Sequence, residues 1–205
     1  IVAAQWKRVA YLVFLMTFMM FLSHGTQDLY PDFLRTISGA GTVLVANISI
    51  LYNVGAVVGA IIFGQLSERL GRRYAMVGAL SLAMAVFPLW AFGSSLWILA
   101  VGAFLMQAGV QGAWGIIPVH LNEMSHDSTR GLVPGMAYQL GVLFAAPTNS
   151  VQYALRDHVG YQWAIASFEI VTILVLAVTL LAGTERHGRS FVEDPTPVEE
   201  PVLNA

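Results

Sequence analysis

Polarity along the chain divides it into six apolar runs, near residues 9–30, 43–63, 74–93, 96–119, 132–153 and 161–182, joined by short polar links. A helix needs about 20 apolar residues to cross a hydrocarbon core roughly 30 Å thick, and each run is about that long. Strands of a membrane barrel would be about half as long and would alternate apolar with polar positions, which these runs do not. The pattern therefore predicts an all-α integral membrane domain of six helices over 9–182, with a linker end at 1–8 and a tail at 183–205. Pro88 and Pro147 fall inside the third and fifth runs and predict kinks, because each removes a backbone donor. Gly55 and Gly59, four residues apart in the second run, predict a face where a neighbouring helix packs closely.

Composition agrees: 57% of the 205 residues are hydrophobic and 11% charged, against about 25% charged in an ordinary soluble domain. Mean hydropathy is +0.67. A net charge of -2 argues against nucleic acid, and the absence of cysteine removes disulfides and thiolate metal sites; no metal is expected. The opening Ile1-Val2-Ala3-Ala4-Gln5-Trp6-Lys7-Arg8 lacks methionine, and the first run exceeds the roughly 7 to 15 residues of a signal-peptide core, so a fragment of a longer protein is expected. Basic residues orient the spans. With the N-terminus inside, Lys7, Arg8, Arg69, Arg72, Arg73, Arg130, Arg186 and Arg189 are cytoplasmic and only Arg35 and Arg156 lie outside. Both ends are then cytoplasmic in a multi-pass protein of the plasma membrane, or of the inner membrane in a bacterium. The acidic, proline-rich tail from Thr184 is expected to be disordered.

Polar side chains inside spans must face protein or a water-filled path, which makes their positions informative. His24, Gln27 and Asp28, near the outer end of the first span, share one helical face. Imidazole changes charge between about pH 5 and 8, so His24 beside a carboxylate has the chemistry of a proton relay; the same residues could instead cap the helix at the interface. Gln107, Gln111, Trp114 and Pro118 share a face of the fourth span, and Tyr138, Gln139, Asn149, Gln152 and Tyr153 recur around Pro147 in the fifth. Neutral amides and aromatic groups can line a solute path without burying charge, or they can serve as interhelical hydrogen bonds. Glu169 in the sixth span is an intramembrane carboxylate, a candidate for proton coupling or a local polar contact.

Between the second and third spans lies Gly64-Gln65-Leu66-Ser67-Glu68-Arg69-Leu70-Gly71-Arg72-Arg73. This stretch resembles the loop signature of the major facilitator superfamily, Gly-x-Leu-x-Asp-Arg-x-Gly-Arg-Arg, with Glu68 where the acid is usually Asp. Ser23-His24-Gly25-Thr26-Gln27-Asp28-Leu29-Tyr30 resembles the Asn-x-x-Ser-His-x-Ser-Gln-Asp signature of proton-coupled carboxylate permeases. Met20 replaces its Asn, Thr26 its second Ser, and Asp32 a later Thr. The segments 112–123 and 135–141 are similar to the fourth and fifth helices of the C-terminal half in the lactate permease and sialate:proton symporter branch. Val142 stands where an Asn often follows the glycine.

The resemblance implies helices seven to twelve of a twelve-helix transporter, whose substrate site lies between two halves, so the N-terminal six-helix half would be the partner. It implies symport of a small organic acid, such as lactate, pyruvate or sialic acid, with the proton as coupling ion and no other cofactor. His24, Asp28 and Glu169 would couple protons, while Gln27, Gln107, Gln111, Trp114, Tyr138, Gln139 and Asn149 would line the path. Gly64, Glu68, Arg69, Gly71, Arg72, Arg73, Glu123 and Arg130 would form the cytoplasmic gate, with ion pairs that latch one state. The resemblance also implies an arginine that grips the substrate carboxylate, placed in the other half; no span here carries a deep Lys or Arg. Transport of a sugar or another metabolite, and nutrient sensing on the same fold, remain alternatives. An enzyme is not expected, since no nucleophile–base pair, carboxylate dyad or metal cluster lies at depth.

Overall fold

The computed structural model describes residues 6–125 and 129–183. The tail from Thr184, with Arg186 and Arg189, lies outside the described residues, as do most of the first eight. Nine helices run in the order α1 (Trp6–Gln27), α2 (Tyr30–Ser38), α3 (Thr42–Leu70), α4 (Arg72–Ala85), α5 (Phe87–Phe92), α6 (Leu96–Met124), α7 (Val133–Ala145), α8 (Thr148–Val159) and α9 (Tyr161–Ala182) among the described residues.

Five stretches are long and apolar enough to cross a bilayer, namely Trp6–Ser38, Thr42–Leu70, Arg72–Phe92, Leu96–Met124 and Tyr161–Ala182. The remaining predicted span, the fifth in chain order, is two half-helices, α7 of 13 residues and α8 of 12. Pro147 breaks it: without an N–H it cannot continue the ladder, and Ala146 N–H reaches only back to the Leu143 carbonyl. Pro88 acts alike in the third span, where Val86 separates α4 from α5.

Two boundaries are sharpened. Within the first stretch α1 ends at Gln27, because Pro31 lacks the N–H that would bond the Gln27 carbonyl, and a separate helix, α2, starts at Tyr30. The basic motif is not a loop. α3 continues to Leu70 and α4 begins at Arg72, leaving Gly71 alone as the turn. Gly71 has φ 89°, a conformation closed to most other residues, so the chain reverses within one residue.

α6 is the centre of the bundle and α3 a peripheral helix, with 61% and 28% of their apolar windows buried. The two form the largest helix pair, and the reason is the predicted glycine face. A Cβ on Gly55 would sit 2.3 Å from the Phe104 carbonyl oxygen, and one on Gly59 would sit 2.0 Å from that of Ala108. α1 packs chiefly on α7 and α9, and its Leu12, Leu15, Met16, Met19 and Leu22 are fully buried. α2 lies across the bundle end, where the buried Tyr30 hydroxyl donates to the carbonyls of Trp90 (2.9 Å) and Leu99 (3.1 Å), joining α5 to α6.

Candidate functional site

The polar segment of α1 is the point on which four other helices converge. His24 Nδ1 lies 3.0 Å from Asp28 Oδ2, one helical turn on, and Asn149 Nδ2 at the start of α8 donates to the same oxygen at 3.4 Å. His24, Asp28, Asn149, Val142, Ala145, Ala146 and Thr148 line a cavity of about 220 Å³ whose wall is the α7–α8 break. Because Thr148 and Asn149 open α8, its N-terminal turn, with unpaired N–H groups and a positive dipole end, stands in that wall. Pro147 thus creates the break and positions the amide of Asn149.

On other sides of the same segment the contacts are helix-to-helix. From α6, Gln107 Nε2 donates to Thr26 Oγ1 (3.1 Å), Gln111 Nε2 to Ser23 Oγ (3.2 Å), and Trp114 Nε1 to the Met19 carbonyl (3.2 Å). Gln107 is buried in this contact, while Gln111 and Trp114 are half-buried. Gln27 turns from the His24–Asp28 pair to donate to Ser23 Oγ at 3.0 Å. Tyr138 is exposed and meets Trp114 edge to face with ring centres 6.3 Å apart; Gln139 is also exposed. Glu169 lies away from the cavity, fully buried against Gly25 of α1.

The opposite end of the bundle holds the basic motif. Arg72 donates from Nε and Nη2 to Glu123 Oε1 (3.2 Å each), and from Nη1 to Glu68 Oε1 (2.6 Å) and Ser67 Oγ (2.8 Å). Arg72 and Glu123 are buried, whereas the Glu68 side chain is 64% exposed. This ties the end of α3, the start of α4 and the end of α6 together. Arg73 donates to the carbonyls of Leu180 and Leu181, supplying partners to the last turn of α9. Arg69 is exposed, and half-buried Arg130 donates from Nε to the Asn122 carbonyl at 3.3 Å. Gly64 faces open space, where an added Cβ would meet nothing within 4 Å, so it is no close-approach point.

Several contributors were not assigned to the site from the sequence. Ser67 and Ser23 are hydroxyl hubs whose signal is only their position beside motif residues. Gln152 donates to the Gly25 carbonyl at 2.9 Å, and Tyr161 donates to Asp32 Oδ2 at 2.8 Å. Their polarity inside apolar runs was the available signal.

The chain is thus a bundle of apolar helices with a polar cavity at a helix break and a buried ion-pair cluster at its far end. The chain belongs to the Sugar (and other) transporter family of the major facilitator superfamily, which matches residues 5–184; its members are transporters, not enzymes. It is 37% identical over 157 residues to the carboxylic acid transporter protein homolog of Saccharomyces cerevisiae, covering 76% of this chain and 25% of that protein. It is 27% identical over 131 residues to the glucose transporter GlcP of Staphylococcus epidermidis (60% and 28% covered) and 28% identical over 138 residues to putative polyol transporter 1 of Arabidopsis thaliana (66% and 27% covered). The chain thus spans about a quarter of the length of these relatives.

Proposed function

We propose that this chain is the C-terminal six-helix half of a twelve-helix transporter that carries a small organic acid together with a proton by alternating access. The observation that carries this reading is the His24–Asp28–Asn149 cluster in the cavity at the α7–α8 break. A discontinuous helix that turns its N-terminal end to a solute path favours an anionic group, and an exchangeable proton on the neighbouring pair would link its binding to pH. The similarity to a yeast protein named as a carboxylic acid transporter homolog supports the same substrate class.

The other half would close the site, and the Arg72–Glu123–Glu68 cluster would latch the cytoplasmic end, the orientation favoured by the basic residues. The glucose and polyol relatives favour a second reading, transport of a neutral polyhydroxylated solute by the amides Gln111, Gln139 and Asn149. Vesicles containing the full-length protein separate the two: an imposed inward proton gradient should accumulate labelled lactate or pyruvate and not glucose. Glucose accumulation without acid uptake would overturn the organic-acid reading.

A further inference from the structure

Glu169 is fully buried in α9, and neither of its carboxyl oxygens has a hydrogen-bond partner among the described residues. It is accommodated by a notch in α1: a Cβ on Gly25 would sit 1.8 Å from Glu169 Oε1, with the Phe168 ring 3.0 Å away. Gln152, also fully buried, converges on the same glycine by donating to its carbonyl, and its own Oε1 is unpaired. A carboxyl group and an amide oxygen, both lacking donors, are therefore enclosed where α1, α8 and α9 meet.

Among the described residues no cation compensates the carboxyl. His24 of α1 is paired with Asp28, the residue after that helix, at the α7–α8 break. On α8, Arg156 lies over the rings of Tyr153 and Tyr161 and beside Asp157. On α4, Arg73 is held by the Leu180 and Leu181 carbonyls; α5 carries no charged residue, and Asp32 of α2 accepts from Tyr161. A bare charge enclosed without partners is costly.

We infer that Glu169 is a proton-binding site distinct from the His24–Asp28 pair, and that its occupancy sets how closely α1 packs on α9. A proton from water adds to one carboxyl oxygen, giving a neutral acid whose O–H can donate to an oxygen of the Gln152 type. Loss of that proton to water leaves a carboxylate that must draw water in and part α9 from Gly25. The helix that moves carries His24 and leads directly into Asp28, so a role in the transport cycle rests on the transporter reading; the proton site itself does not.

Two measurements on the full-length protein in lipid discs, without any solute, test this. Infrared spectroscopy of the wild type at neutral pH should show a protonated-carboxyl carbonyl band that fades as pH is raised and is missing in Glu169→Gln. Should that variant fail to fold, wild-type protein with isotopically labelled glutamate must show the band shifted, and Gly25→Ala must move it by displacing the carboxyl. In addition Thr172→Cys, at a position only 3% exposed one turn from Glu169, should gain more labelling by a water-soluble thiol reagent at alkaline pH than thiolate formation alone gives, the excess being read as a several-fold difference from the same cysteine combined with Glu169→Gln. Absence of a glutamate band, or the same pH dependence of labelling in both backgrounds, overturns the inference. Failure of organic-acid uptake alone would bear only on the proposed substrate.

Discussion

Arg72 and Glu123, 51 residues apart in the chain, form a buried two-donor ion pair with side chains 7% and 2% exposed. Removing one partner of such a pair strands the other charge, at a cost of about 3–5 kcal/mol, while replacing both by apolar residues can be close to neutral. Arg72→Ala and Glu123→Leu should therefore each lower the unfolding midpoint of the full-length transporter sharply, and Arg72→Met combined with Glu123→Leu should recover most of the loss. Glu68→Gln, at the exposed arm of the cluster, should cost about 0–1 kcal/mol. A Glu68→Gln loss as large as that of Glu123→Leu would show that the buried arm does not dominate.

The two glycines of α3 that face α6 and the one that does not predict opposite signs. Gly59→Ala drives a methyl to within 2.0 Å of the Ala108 carbonyl oxygen, so α3 must move away from α6 and thermal stability should fall. Gly64 has open space around it inside the same helix, and Gly64→Ala should be neutral or stabilising by up to about 1 kcal/mol through helix propensity. Melting curves of the two variants in one detergent give the comparison.

Tyr30 predicts a test of how α2 is held on the bundle. Its ring stacks on Trp90 at 5.2 Å and its hydroxyl donates to the Trp90 and Leu99 carbonyls. Tyr30→Phe keeps the stack and removes the donor, so it should cost about 0.5–1.5 kcal/mol, whereas Tyr30→Ala, which also opens a cavity, should cost about 3–5 kcal/mol. Amide hydrogen exchange should rise in α2 in both variants, and an unchanged α2 in Tyr30→Ala would show that other contacts hold it.

The membrane class, the apolar helices, the proline breaks and the glycine face were legible because each depends on local sequence: run length, a missing donor or a missing Cβ. The end of α3 was not, because hydropathy stops at Phe63 while the helical ladder continues through polar residues to Leu70. Pro31 carried the signal for the end of α1, yet the apolar run masked it. Partners distant in sequence were beyond reach. Glu123 could be placed in a gate by resemblance, but its bond to Arg72, the burial of Gln107 between α1 and α6, and the seating of Glu169 in the Gly25 notch follow only from packing.

The pair at the cavity gives the test of coupling. Asp28 Oδ2 is shared by His24 Nδ1 and Asn149 Nδ2, so this acceptor joins α1 to the start of α8. If this carboxyl takes up the transported proton, Asp28→Asn should abolish accumulation driven by a pH gradient yet leave solute exchange partly intact, since exchange needs no net proton release. His24→Ala should instead displace the pH dependence of uptake across roughly pH 5 to 8, the range in which imidazole changes charge. Asn149→Ala leaves the acceptor one donor short at 3.4 Å and should produce a smaller change than either. Accumulation and exchange are measured separately, in vesicles containing the full-length protein, with Glu169→Gln alongside. Wild-type accumulation in both Asp28→Asn and His24→Ala would assign the pair to helix capping and leave Glu169, or the other half of the transporter, as the place where the proton is carried.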